Sequence, residues 1–348
     1  MAELDNISEK VRTLLMKVKD QDTPFTLTPY NRIGNNRTYL LHAGEDTFFV
    51  KYFFQNEGDL RDRFNTELAF IRYAEKAAPG FTPRILAADP VSKLILYEYI
   101  QGKPLNKESI SENEVKQAAD FFKKLNSKAS HSDSVYLPNA SEACFSIAEH
   151  IKLIDDRIGQ LSAIIPSSQE DIGALVLVNR MKSIWVELVS NIHTACGIQQ
   201  IGLNEELPVA CKVLSPSDFG FHNALTTETG KLTFLDFEYA GWDDPAKMSG
   251  DFFAQIQVPV PAEMFEYFLS LAFSELPEKN YLKKRARILL PLFHIKWACI
   301  AMNIFLPVHL ERRKFSNPGL EVVAFKKNQL QKAADILQTF QNKTNVVH

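Results

Sequence analysis

Cysteine is scarce in this chain of 348 residues. The four present, Cys144, Cys196, Cys211 and Cys299, are scattered and none forms a C-x-x-C pair. That excludes a disulfide framework or a cysteine-based zinc site and leaves reduced core cysteines. An excess of charge of one sign is also lacking. Lys and Arg number 39 against 42 acids, a formal net charge of -3, so no general field is offered to nucleic acid or to a membrane surface. The N-terminal stretch lacks the apolar core of a signal peptide and reads as a charged amphipathic helix. Long uninterrupted apolar runs are missing too. The most apolar stretch, 288–308, contains Pro291, His294, Lys296 and Asn303 and reads as a buried helix rather than a membrane span. These absences lead us to expect a soluble, cytoplasmic protein.

What is present is an ordinary globular composition, with 45% apolar residues and an excess of phenylalanine, 25 against 10 Tyr and 3 Trp. The length predicts two domains or one two-lobed unit. Residues 38–43 and 47–53 read as two strands around the turn Gly44-Glu45-Asp46. Residues 60–76 read as a helix, and 84–88 and 93–100 as two further strands. Gln101-Gly102-Lys103-Pro104 then breaks the pattern like a linker. Ser111 and Glu114 make a possible capping box for the next helix. Helices are predicted over 145–165 and 172–195, a hairpin over 224–236, and helices again to about 341. The order predicts an α+β fold, with a small β-rich lobe over 1–102, led by a helix, and a larger helical lobe over 103–348.

Two charges stand where a core is expected. Lys51 alternates with Phe49 and Phe53 in an aromatic strand. It is either an edge-strand lysine reaching water or an ammonium that meets a buried anion. Glu67 falls on the inward side of its helix, between Phe64 and Ile71, and is either a half-exposed surface acid or a carboxylate in need of a partner. Each supplies the charge the other lacks.

The segment Leu214–Asp244 holds the chemistry. Asp218 is followed after five residues by Asn223, and Asp236 ends the hairpin. Phosphoryl transfer from a nucleotide needs a carboxylate to orient the acceptor hydroxyl, and hard oxygen donors to hold Mg²⁺ on the phosphates. Asp218, Asn223 and Asp236 offer those groups.

The segment resembles the aminoglycoside phosphotransferase and choline kinase-like family, which has a protein-kinase-like two-lobed fold. The resemblance covers about residues 28–310. It implies Asp218 as catalytic base, Asn223 and Asp236 as metal ligands, and Lys51 with Glu67 as the phosphate-binding lysine and its helix partner. It implies a hinge that binds adenine through backbone groups of Glu98 and Ile100, and a nucleotide-covering turn around Gly34 and Asn35. ATP and Mg²⁺ are the implied cofactors and a small-molecule hydroxyl the implied acceptor, with neither nucleic acid nor a membrane span as partner. The sequence departs from the family in having Pro216 where a loop-bracing histidine is usual, and a single glycine in the nucleotide turn. Asp251 is a candidate for a brace. Gly220 stands where protein kinases usually carry a lysine, and no A-P-E segment follows Asp236; both favour a small-molecule acceptor. Glu238, Trp242 and Asp243 are candidate acceptor contacts, suited to a cationic or polyhydroxylated molecule, or else a packing tryptophan and a solvated turn or helix cap. His222 is a loop brace or an acceptor contact. No aromatic cluster of the quaternary-ammonium type stands out, which favours a sugar or other metabolite over choline. The alternative to an enzyme is a catalytically silent nucleotide-binding module.

Overall fold

In the computed structural model, residues 2–19, 21–30, 36–55, 61–127 and 137–345 are described. The amphipathic N-terminal stretch forms α1 (Ala2–Lys19), and Ile7, Val11, Leu14 and Leu15 on its apolar side are buried. The chain then builds β1 (Thr26–Pro29), β2 (Arg37–Ala43) and β3 (Asp46–Tyr52). Gly44, at φ +66°, permits the turn between the last two. Next come α2 (Arg63–Ala77), β4 (Ile85–Asp89) and β5 (Leu94–Glu98). Asp62 caps α2 through a hydrogen bond from the Asn65 backbone N–H at 3.2 Å, so that helix starts later than its periodicity predicts.

The five strands form one antiparallel sheet in the order β1-β2-β3-β5-β4. Lys51 lies opposite Thr38 on one side and Ile95 on the other, so its strand is central. The edge-strand reading of Lys51 is thereby corrected: its strand is central and its side chain is buried on the sheet face that α2 covers.

The rest of the chain is mainly helical. It contains β6 (Lys103–Pro104), α3 (Glu112–Leu125), α4 (Ile147–Ser162) and α5 (Gln169–Gln199). The Ser111/Glu114 capping box forms as expected, and Ser146/Glu149 makes a second one. Short strands follow: β7 (Val213–Ser215), β8 (Ala224–Thr226), β9 (Leu232–Phe234) and β10 (Gly241–Asp243). β8 and β9 form the hairpin, with β6 beside β8, while β10 pairs with β7. The chain ends with α6 (Pro245–Ala254), α7 (Phe265–Ala272), α8 (Lys279–Met302), α9 (Pro307–Ser316) and α10 (Val322–Asn345).

Packing explains the apolar run. α8 packs against α4, α5, α6 and α10. Among the described residues Lys279–Phe305 is the one stretch long and apolar enough to cross a membrane, but 67% of its apolar window is buried in the protein. A Cβ on Gly250 of α6 would lie 2.0 Å from the Phe293 ring of α8, so glycine is what lets these helices approach. The phenylalanines collect under the hairpin. Phe121 stacks on Phe81 at 5.5 Å and on Phe234 at 5.0 Å, and Phe219 stacks on Phe252 at 4.9 Å. All four cysteines are free and buried.

Candidate active site

Strand β3 and helix α2 bring Lys51 and Glu67 together. The Lys51 ammonium donates to Glu67 Oε2 and to Asp236 Oδ1, each at 2.5 Å, and lies 3.9 Å from Glu238 Oε2. The Tyr97 hydroxyl of β5 donates to Glu67 Oε1 at 2.7 Å. Burial works against the Lys51 charge, but Asp236, Glu67 and Glu238 outweigh it and hold the ammonium well above the usual lysine range. Burial, with Glu238 added, raises Asp236 above an ordinary aspartate despite Lys51. Burial and then Asp236 likewise raise Glu67 against the pull of Lys51. Three carboxylates thus surround one ammonium, and the oxygens of Glu67, Asp236 and Glu238 all lie within 4.8 Å of one another. Hard carboxylate oxygens gathered so closely are suited to a divalent cation. Asp236 sits at φ +66°, in the left-handed region that aspartate tolerates better than most residues.

Asp218, His222 and Asn223 lie between β7 and β8. Asn223 Nδ2 donates to the Asp218 carbonyl at 3.0 Å and to its carboxylate at 3.3 Å, which leaves the amide oxygen of Asn223 available as a donor atom to a cation. The backbone N–H of Leu235 donates to the Asn223 carbonyl at 2.8 Å and ties this loop to the residue before Asp236. His222 Nε2 lies 3.3 Å from Asp218 Oδ1. Burial opposes ionisation of Asp218, but His222 and the Asn223 amide outweigh it and hold the carboxyl below its ordinary value. Gly220 makes room for that ring, since a Cβ there would lie 2.6 Å from His222 Nδ1. His222 is therefore a brace on Asp218. Side-chain exposure separates Asp218 and Asp236 from the pair behind them: 33% and 34%, against 7% for Lys51 and 3% for Glu67.

The loop with Pro216 is braced from α6. The fully buried Lys247 ammonium donates to Ser217 Oγ at 3.0 Å and to Asp243 Oδ2 at 2.6 Å. Ser217 is held at φ +65°. Lys247 was not legible as a site residue, because a lysine two residues after Asp-Pro reads as a solvated first turn. Asp251 holds Lys296 at 2.8 Å and accepts from Trp297 Nε1 at 3.1 Å, so it ties α6 to α8.

At the end of β5 the Glu98 backbone N–H donates to the Arg84 carbonyl at 3.1 Å, and the Glu98 carboxylate holds the Arg84 side chain at 2.8 Å. Ile100 lies just past the strand and makes no backbone hydrogen bond among the described residues. Gly34 and Asn35 lie outside the described residues. Their neighbour Asn36 is buried and donates to Glu238 while accepting from the Phe54 N–H at 3.0 Å.

The acceptor contacts expected at Glu238, Trp242 and Asp243 need correction. Glu238 is buried behind Asp236, near Lys51 and Arg63. Asp243 is fully buried in its ion pair with Lys247. Trp242 is partly buried and packs against the main core, in keeping with the packing reading. The neighbouring Asp244 caps α6, but as a buried acid paired with Arg285 and His150 rather than a solvated one. Strand alternation and helix burial turn these acids inward.

A cavity of about 310 Å³ does open beside Asp218, in the size range of small-molecule sites. Its walls include Arg61, Arg157, Lys296, His309, Arg312 and Arg313. Helix α9 supplies the last three and also reaches the sheet. Arg37 Nε donates to the Phe315 carbonyl at 2.9 Å, and the Phe315 ring lies 5.0 Å from Phe54 and 5.8 Å from Tyr52.

No family model matches the sequence, and no curated protein does. Solved structures do resemble it. The choline kinase LicA of Streptococcus pneumoniae is 17% identical, with a TM-score of 0.59 over 97% of this chain and 100% of that one. A choline/ethanolamine kinase family protein of Mesorhizobium loti, also 17% identical, gives 0.56 over 95% and 94%. Spectinomycin phosphotransferase APH(9)-Ia, solved with AMP, is 13% identical and gives 0.59 over 91% and 97%. The chain has the protein-kinase-like fold of these phosphotransferases. At such identities the likeness speaks for architecture, and the chemistry must be argued from this chain's own residues.

Proposed function

We propose that this protein transfers the γ-phosphoryl group of ATP to a hydroxyl of a small molecule. The observation that carries this reading is the convergence of Lys51, bound to Glu67 and Asp236, with Asn223 and Asp218, which the Leu235–Asn223 backbone bond ties to the residue before Asp236. The named neighbours being choline kinases and aminoglycoside phosphotransferases supports it.

Lys51, held by Glu67, places an ammonium for the phosphates of the nucleotide. The backbone groups after β5, the Glu98 carbonyl and those of Ile100, would meet the edge of adenine, while the Glu98 N–H is taken by the Arg84 carbonyl. Asp236, with the Asn223 amide oxygen and with Glu238 behind it, would hold Mg²⁺, which neutralises charge on the phosphates. Asp218 is ionised at neutral pH and accepts a hydrogen bond from the acceptor hydroxyl, orients it, and takes its proton as the bond to phosphorus forms. A weakly basic carboxylate suffices, because phosphoryl transfer passes through a loose transition state with little nucleophilic push. His222 and Asn223 fix the orientation of that carboxylate.

ATP turnover with Mg²⁺ tests the reading. Asp218→Asn should slow it by about 100-fold or more while changing nucleotide affinity little. Lys51→Ala should mainly weaken ATP binding, measured by calorimetry, and Asp236→Ala should abolish the Mg²⁺ dependence. A wild type as inactive as Asp218→Asn would leave a silent nucleotide-binding module instead.

A further inference from the structure

The turn that carries Asp218 is shaped by local bonds. The Ser217 N–H donates to Ser215 Oγ at 3.0 Å, and the Asp218 N–H donates to the Pro216 carbonyl at 3.0 Å. Such bonds fix the form of the turn but do not place it against the rest of the protein. Ser217 stands at φ +65°, a conformation that a residue with a side chain keeps only where its surroundings impose it. Lys247 supplies that constraint. Its ammonium donates to Ser217 Oγ at 3.0 Å, is held by Asp243 Oδ2 at 2.6 Å and lies 3.7 Å from Asp251 Oδ2. Burial works against the charge, but Asp243 and then Asp251 keep the ammonium well above the ordinary lysine range. A fully buried charge so placed holds its partners in one geometry, because leaving any of them unpaired is costly. Asp251 also accepts from Trp297 Nε1 at 3.1 Å, and the Trp297 ring meets the His222 ring edge-on at 5.9 Å. Ser217 before Asp218 and His222 beside its carboxylate are thus anchored to one buried cluster.

We propose that Lys247 is a positioning residue for phosphoryl transfer: it holds Ser217, and through Ser217 it aims the Asp218 carboxylate at the acceptor hydroxyl. The inference rests on the phosphotransferase reading of the site and adds to it a residue of α6, outside the loop and hairpin that carry the reacting groups. Lys247 touches neither nucleotide nor acceptor. It supplies from α6 the brace that Pro216 cannot.

The test is ATP turnover with Mg²⁺ by the full chain, read as kcat and KM for ATP. Two variants cut the contact from its two ends. Ser217→Ala leaves the Lys247–Asp243 pair intact, and Lys247→Met combined with Asp243→Asn removes the ammonium without burying a lone carboxylate. Should Ser217→Ala fail to fold, Ser217→Gly takes its place, since glycine adopts φ +65° without strain. Each should lower kcat about tenfold or more, the scale of a misplaced reacting group, and change KM for ATP by less than about twofold. Combined, they should lower kcat no further than the stronger one alone. In an Asp218→Asn background neither should cost more than about twofold, since no carboxylate remains to be aimed. Folded variants with wild-type kcat, losses that multiply with that of Asp218→Asn, or a rise in KM for ATP matching the fall in kcat would each overturn the proposal. Wild type no faster than Asp218→Asn would fell the phosphotransferase reading and the proposal with it, whereas an active wild type with equally active Ser217 and Lys247 variants fells the proposal alone.

Discussion

The charged residues of the site divide into those that were legible in the sequence and those that were not. Lys51 and Glu67 could be read because each interrupts an apolar pattern, and a charge in such a place demands a partner. Asp218, Asn223 and Asp236 could be read because their spacing and order are set by one loop and one hairpin. Arg312 and Arg313 could not. In Leu310-Glu311-Arg312-Arg313-Lys314 they look like the solvated face of a helix, and only tertiary packing brings them beside Asp218. Their neighbour His309 gives a residue-scale prediction. Its folded-state value near 4 lies below the ordinary 6.5, through burial and the four arginines around it. Between those pH values the unfolded chain binds a proton that the folded chain refuses, so stability is present above about 6.5 and is lost as pH falls toward about 4. The denaturation midpoint of wild type should fall over that window relative to His309→Gln. Parallel pH profiles for the two proteins would contradict it.

At the scale of elements, α9 does two jobs. One side lines the cavity through His309, Arg312 and Arg313, and its end holds the sheet through Phe315. The periodicity of the sequence announces a helix there but not this bridging, since helix placement depends on the turn after α8 and on rings contributed by β3 and the residues after it. Phe315 is half-buried between Arg37, Tyr52 and Phe54. Phe315→Ala should cost about 1–3 kcal/mol, the range for losing partly buried packing. α9 joins the sheet to the cavity beside Asp218, so under the proposed function the variant should raise KM for acceptor more than KM for ATP. A fall in melting temperature with both KM values unchanged would make Phe315 a packing residue alone. The loop brace shows the same limit of local reading. Pro216 marks a missing histidine, but the compensating Lys247 arrives from α6, by way of a helix start that the sequence could place and a tertiary contact that it could not.

For the whole molecule, the sheet of the small lobe is also a wall shared with the helical lobe. Its outer face packs with α1 around Leu14, Leu41, Val50 and Leu96. Its inner side joins the core of the helical part, where Phe53, Phe64, Ile95 and Tyr97 belong to one cluster with Phe121, Phe234 and Leu289. Phe70 of α2 stacks on Phe237 at 5.0 Å, and the Phe234 N–H donates to the Phe81 carbonyl at 2.7 Å. Separating the two parts would expose this cluster and break the Lys51–Asp236 contact together. We therefore expect one cooperative unfolding transition, with calorimetric and van't Hoff enthalpies in agreement. Leu14→Ala, on the outer face and far from the site, removes a fully buried side chain and should cost about 2–5 kcal/mol. If the wall is shared, that variant lowers the melting temperature of the whole chain in a single step, and saturating ATP with Mg²⁺ raises it again by mass action. Two resolved transitions in calorimetry, only the lower one moved by Leu14→Ala, would show instead that the sheet melts on its own.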